Sequence, residues 1–158
     1  MLLPICRVVQ EMKHLIERLC GAFIAVLLIV ACRGEQHVVE VHDQPSECWE
    51  GVEEFSFVND DTLSVREIAI VLRYNRRDVA DTLSLNILTI APDSLVLSED
   101  MTLRIPRLGD MRPAEHSFPY RRSVVLQRRG EYRFRLTPRA KAEGIGSVGL
   151  LITNQSEE

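Results

Sequence analysis

The chain has 158 residues, 46% hydrophobic and 27% charged, a balance that suits one folded domain and excludes disorder from composition. Its formal net charge of -4 excludes a strongly basic nucleic-acid binder at the level of the whole chain. Aromatics are only 6%, with a single Trp, so few are spare for exposed stacking surfaces.

The first 31 residues differ from the rest. Residues 21–31 are an uncharged apolar run, preceded by Arg7, Lys13 and Arg18. The run is shorter than the roughly 20 residues a spanning helix needs, and has the length of a signal-peptide core. It closes on Ile29-Val30-Ala31-Cys32. That ending resembles a bacterial lipobox, in which the small residue fits a peptidase pocket and the Cys is acylated and becomes the mature N-terminus. Cys32 is therefore the expected lipidation site, and several acyl chains on one residue anchor far more firmly than one. The compact start Met12-Lys13-His14 is the expected initiator, leaving residues 1–11 upstream of it. In the enteric rule, Asp after the lipidated Cys retains a lipoprotein at the inner membrane. Arg33 stands there instead, which by that resemblance implies the outer membrane, on the periplasmic side in preference to the cell surface.

The cysteine inventory follows. Cys6 and Cys20 leave with the signal, Cys32 takes the lipid, and Cys48 has no partner inside the chain. A free Cys commonly behaves as a small buried hydrophobe. A catalytic thiol would need a nearby base, and no spacing links Cys48 to His37, His42 or His116.

Downstream, residues 33–44 are polar and read as a tether, with a potential first edge strand at 37–41. Short alternating runs then predict strands at 52–58, 66–74 and 83–90. Residues 95–97 and 101–105 are expected to form a hairpin around Ser98-Glu99-Asp100. Residues 106–119, with Pro106, Gly109, Pro113 and Pro119, read as a long loop. Strands are predicted again at 121–127, 131–136 and 147–153. Residues 137–144 are the one helical candidate, with Thr137 as cap, Pro138 in the first turn and Gly144 as stop. The pattern predicts an all-β chain, a single antiparallel β-sandwich of Ig-like or jelly-roll-like type. The domain plan is 1–31 signal peptide, 32–45 lipidated Cys and tether, and 46–154 β-sandwich.

Little in the sequence points to catalysis. Gly144 to Gly149 gives G-x-G-x-x-G, but it precedes a terminal strand and lacks the βαβ context of a dinucleotide site. No His/Cys pairing has zinc spacing, and Asn59-Asp60-Asp61 is explained by turn chemistry without calcium. No catalytic residue, metal site or small-molecule cofactor is expected. The arginines are more unusual. Lys141 is the only lysine after Cys32. Arg121, Arg122, Arg128, Arg129, Arg133 and Arg135 lie in or between two consecutive predicted strands. If Arg121 or Arg122 pairs alongside Arg133 and Arg135, these form a basic patch on one sheet, suited to bidentate carboxylate or phosphate recognition. The alternative is a solvated face balanced by acids. Arg73 and Asn75, at a strand end, are candidates for a polar contact or for stabilising a turn.

Three pieces together resemble the gliding-motility lipoprotein H family (GldH) of Bacteroidota. The lipobox is followed by Trp49, Val52 and a Phe55-Ser-Phe57 strand ending in Asn59-Asp60. Ile70-Val-Leu-Arg73-Tyr74-Asn75 leads into Thr82-Leu83. Gly130-Glu-Tyr132-Arg-Phe134 is followed by Gly144-Ile-Gly-Ser-Val-Gly-Leu150. The chain departs from the family at Asp78-Val79-Ala80, where a Tyr-Pro-Tyr-like element is usual. The resemblance implies a non-enzymatic accessory or scaffold lipoprotein of a gliding-motility and secretion-linked envelope assembly, with envelope proteins as partners and the membrane reached through its lipid. Candidate partner-binding residues are Arg73, Arg121, Arg122, Arg133 and Arg135. The alternative is a carbohydrate-binding lipoprotein of a nutrient-uptake system, which would need exposed aromatics such as Tyr74 and Tyr120.

Overall fold

The structure, a computed structural model, describes residues 38–106 and 113–155. The signal segment 1–31, Cys32, and the tether up to His37 lie outside the described residues. Ten strands follow in order: β1 Val38–Asp43, β2 Cys48–Trp49, β3 Glu53–Asn59, β4 Val65–Tyr74, β5 Thr82–Ile90, β6 Val96–Arg104, β7 Ala114–Val125, β8 Gly130–Pro138, β9 Ala142–Glu143 and β10 Ile145–Asn154. The region read as tether thus includes β1, which pairs with β10.

The strands form an antiparallel sandwich. One sheet has the order β1-β10-β4-β7, the other β3-β8-β5-β6, and β2 pairs with β9. Among the eight long strands only β5 and β6 are chain neighbours that also pair; every other connection crosses between sheets. That connectivity is the jelly roll, not the Ig-like alternative.

The alternation foreseen in the sequence sets the core. Phe55 and Phe57 on β3, Leu85 and Ile87 on β5, and Tyr132, Phe134 and Leu136 on β8 point inward and are buried. Ile68, Ile70, Leu72 and Tyr74 of β4 and Val148, Leu150 and Ile152 of β10 meet them from the other sheet. Trp49 is fully buried, its indole N–H donating to the Gly51 carbonyl at 2.9 Å. A Cβ at Gly149 would stand 2.9 Å from the Glu40 carbonyl oxygen, so glycine there lets β1 close on the sheet.

Three local expectations are corrected. Residues 96–104 are one strand, not a hairpin. Its mid-strand polar groups are satisfied sideways: the Asn86 amide donates to Ser98 Oγ at 3.1 Å and Asp100 Oδ1 at 2.9 Å. The actual turn is at 91–95, with Ser94 at φ 64 and Ala91 N–H donating to the Leu95 carbonyl at 2.9 Å. The expected loop 106–119 ends early, because β7 begins at Ala114. Pro119 sits within it opposite Ala69, tolerable because β7 is an edge strand. The helical candidate 137–144 forms no helix. Thr137 and Pro138 extend β8 against Asn86 and Leu85, and 142–143 pairs with β2. Cross-strand pairing overrides one or two turns of weak helical propensity. Gly144 ends the segment at φ +77, where a Cβ would meet the Val79 nitrogen at 2.5 Å.

Two polar clusters tie the sheets together. Arg66 is fully buried. Its guanidinium donates to Asn154 Oδ1 at 2.8 Å, Asn59 Oδ1 at 3.1 Å and the Asp61 carbonyl at 3.4 Å, and lies 5.0 Å from the Phe57 ring centroid. Asn59 is also buried, and its amide donates to the Leu126 and Arg128 carbonyls at 2.8 and 2.9 Å. At the β1–β3 edge, His42 Nδ1 lies 2.6 Å from Glu53 Oε2 and Nε2 lies 3.4 Å from Glu40 Oε1, with the ring stacked on Phe55. Burial pulls the His42 pKa down, but the hydrogen bonds and charges of Glu53 and Glu40 outweigh it and raise the pKa above 6.5.

Arg66→Ala strands the Asn59 and Asn154 carbonyl oxygens and empties buried volume. It is expected to cost about 3–5 kcal/mol of unfolding free energy, read as a lower urea midpoint at unchanged slope. A loss under about 1 kcal/mol would show that the cluster is dispensable. Because His42 has a folded pKa above its unfolded one, its cluster contributes fully below about pH 6.5 and the contribution is lost as pH rises through the folded pKa. Urea midpoints should therefore fall across that window, and Glu53→Gln should flatten the decline.

Candidate functional site

The five candidate arginines do not share one surface. Arg121 and Arg122 belong to β7, at the edge of one sheet; Arg133 and Arg135 belong to β8, inside the other. The expected single-sheet patch is therefore absent: β7 pairs with β4, and β8 lies between β3 and β5. The alternation that puts Arg133 and Arg135 on one outer face does hold, but Glu54 of β3 meets both. Arg135 Nε lies 2.5 Å from Glu54 Oε2, and Arg133 Nη1 lies 4.0 Å from Oε1.

Arg121 has a different task. It donates to Glu99 of β6 and lies over the Tyr120 ring, 4.7 Å from its centroid. The Tyr120 hydroxyl also donates to Glu99, at 2.7 Å. The three side chains join the adjacent edges of the two sheets. Arg121, then Tyr120, holds the Glu99 carboxyl below its ordinary pKa, while burial pushes the Tyr120 hydroxyl up. Arg122 is exposed.

Two clefts open at one end of the sandwich, where β1 and β4 finish and β5 and β10 begin. The larger, of about 520 Å³, is lined in part by Arg77, Asp78, Ser84, Arg139, Lys141 and Glu143. Lys141 lies 3.6 Å from Glu143, and Arg139 is drawn to Asp100 of β6. The smaller, of about 300 Å³, is lined in part by Asp43, Glu47, Arg73, Asn75, Pro113 and Gly146. Asn75 serves the turn as well as the cleft. Its Oδ1 accepts the Arg77 N–H at 3.1 Å, its carbonyl accepts the Val79 N–H at 3.1 Å, and its own N–H donates to the Gly144 carbonyl at 2.7 Å. Arg73 and Asn75 thus both line the smaller cleft. Arg77 was missed, because a residue in a polar turn carries no period to mark it. Asp78, Val79 and Ala80 line the larger cleft.

Other candidates are committed to the fold. Tyr74 is 2% exposed and donates to the Pro106 carbonyl at 2.8 Å, so neither it nor half-buried Tyr120 is a free stacking platform. Cys48 is a half-buried free cysteine on β2, opposite Glu143. His42 is held by two carboxylates, and His116 lies edge-on to Phe118 on β7. His37 lies outside the described residues.

Neither a protein-family model nor a curated protein matches the chain. Among solved structures, one of infectious bursal disease virus, Gx strain, is similar at 12% identity with a TM-score of 0.38, covering 78% of this chain and 33% of that one. Dimeric latent PorU from Porphyromonas gingivalis is similar at 11% identity with a TM-score of 0.29, covering 77% of this chain and 13% of that one. The chain thus spans a third or less of the length of either, and likenesses this distant carry no argument about its activity.

The Arg135–Glu54 pair is half-exposed, so its coupling should be small. A double-mutant cycle with Arg135→Ala and Glu54→Ala is expected to give about 0.5 kcal/mol. A coupling well above about 1 kcal/mol would mean that this face is more rigidly organised than its exposure implies.

Proposed function

We propose that this chain is a non-enzymatic lipoprotein, anchored in the outer membrane on its periplasmic side through Cys32, and an accessory or scaffold component of a gliding-motility and secretion-linked envelope assembly. The address rests on the charge, apolar run, Ala31 and Cys32 of the leader. The assembly is drawn from the resemblance to the gliding-motility lipoprotein H family. One structural observation supports a scaffold role: the two ends of the domain differ. The chain enters the sandwich at the β1 start, Val38, and both clefts open at the opposite end, where β1 finishes at Asp43. A domain tethered through its N-terminus thereby offers Arg73, Asn75 and Arg77 on the end away from the tether. Arginine there suits a carboxylate-bearing protein surface.

The test is a crosslinked pull-down of the native lipoprotein from its own envelope, with the bound proteins identified by mass spectrometry. Motility or secretion components should be enriched, and Arg73→Glu with Arg77→Glu should reduce their recovery at least fivefold while leaving the urea midpoint unchanged. Recovery of an uptake transporter with glycan-binding lipoproteins would replace this reading with carbohydrate capture. Cys32→Ala should move the protein out of the acylated membrane pool; an unmodified N-terminus in the wild type would sink the anchor.

A further inference from the structure

The end of the jelly roll opposite the clefts is the apolar one. Nine large hydrophobic side chains are exposed among the described residues. Single exposed apolar residues are ordinary, but these are not scattered. Six of the nine, Val58, Leu63, Val65, Leu95, Val96 and Val125, lie in or beside the turns joining β3 to β4, β5 to β6 and β7 to β8. Leu63 is 86% and Leu95 68% exposed, both within turns. The strand registers bring these turns to one end. Asn59 lies opposite Gly130, Val65 opposite Val125, and Ile90 opposite Val96. Val38 enters at the same end, opposite Ile152, two residues before β10 finishes.

The length of chain ahead of Val38 identifies what this end meets. Cys32 precedes Val38 by six residues. Fully extended, that stretch spans at most about 20 Å. A lipid on Cys32 therefore restrains the bilayer to the neighbourhood of the apolar end, while the clefts lie a strand's length further on. Clustered apolar side chains rimmed by polar groups mark interaction surfaces, and bilayer binding grows with the apolar area buried in the interface. We propose that this end of the jelly roll docks on the phospholipid surface, with Leu63 and Leu95 entering the headgroup–acyl boundary. The inference rests on acylation of Cys32 for its geometry, and it sets the orientation of the proposed scaffold.

The charges around the site identify the kind of docking. Arg122, Arg128 and Arg129 lie near this end, but so do Asp60, Asp61, Asp93 and Glu131. Arg128 is already paired with Asp93 at 2.9 Å, and the Asp61 carboxylate accepts N–H bonds from Leu63 at 2.9 Å and Ser64 at 3.3 Å. With the signs mixed, insertion of apolar side chains, not attraction to anionic lipid, supplies the contact. Docking should therefore be nearly insensitive to salt.

The fold provides its own reference fluorophore. Trp49, the only tryptophan, is fully buried on β2 near the clefts. The full acylated chain is reconstituted in phosphatidylethanolamine and phosphatidylglycerol vesicles containing brominated acyl chains, which quench tryptophan only at short range. Leu95→Trp and Leu63→Trp should each add emission that falls at least twofold with brominated lipid, equally at low and high salt. Trp49 alone, and Val52→Trp at the opposite end, should be unaffected. Adding Val96→Asp to Leu95→Trp should reverse the quenching. The inference is overturned if the two reporters are unquenched, if Val52→Trp is quenched equally, or if the reporters become shielded only as protein concentration rises, the mark of a second copy covering this end. The mass of the N-terminal peptide reads the anchor separately. Acylated but unquenched protein sinks the docking alone; unacylated yet quenched protein sinks the anchor alone.

Discussion

Arg66 carries a positive charge into an interior where no carboxylate hydrogen-bonds to it among the described residues; its partners are the oxygens of Asn59, Asn154 and Asp61 and the face of Phe57. The Asp61 carboxylate adds a charge attraction from nearby, but a buried charge hydrogen-bonded only to neutral dipoles persists when those dipoles are fixed by the rest of the fold. Here they come from β3, from the turn after it and from the end of β10, while Arg66 itself comes from β4. Asn59 extends the cluster to the Leu126 and Arg128 carbonyls before β8. Two sheets and two of the three turns at that end are joined through two side chains, Arg66 and Asn59. The positions of Leu63 and Val65, flanking this network, therefore depend on it.

The opposite end is built by other means. Backbone bonds from Asn75 to Gly144, close passage of Gly144 beside Val79, and the short β2–β9 pair hold the cleft walls. The walls are polar and the cations on them are partly neutralised by nearby acids. One end thus shows apolar side chains on turns braced by a buried cation, and the other shows arginines on turns braced by backbone. On the proposed reading, this difference lets a small domain face a membrane and a protein at once.

The arginines show how far pattern reading goes. That Arg133 and Arg135 share an outer face follows from period-two alternation, and they do. Which strand lies beside them does not follow, because jelly-roll connections cross between sheets at almost every step. Arg121 is near in sequence and lands on the other sheet, where Glu99 and Tyr120 occupy it. Arg66 was legible only as a strand position, since nothing local distinguishes a buried arginine from one at the surface. The same limit explains 137–144, where good cap and stop residues were overruled by pairing with β5 and β2.

The sequence by itself determined the all-β class, the inward faces of β3, β4, β5 and β8, and the candidacy of Arg73 and Asn75. Each is a local property: a run, a spacing or an alternation. Tertiary structure alone decided the jelly-roll order, the continuity of β6, the separation of the arginines and the gathering of Leu63 and Leu95 at one end. Those depend on contacts between residues far apart in the chain, and such contacts are selected by the burial of whole faces against one another, a quantity no short window of sequence contains.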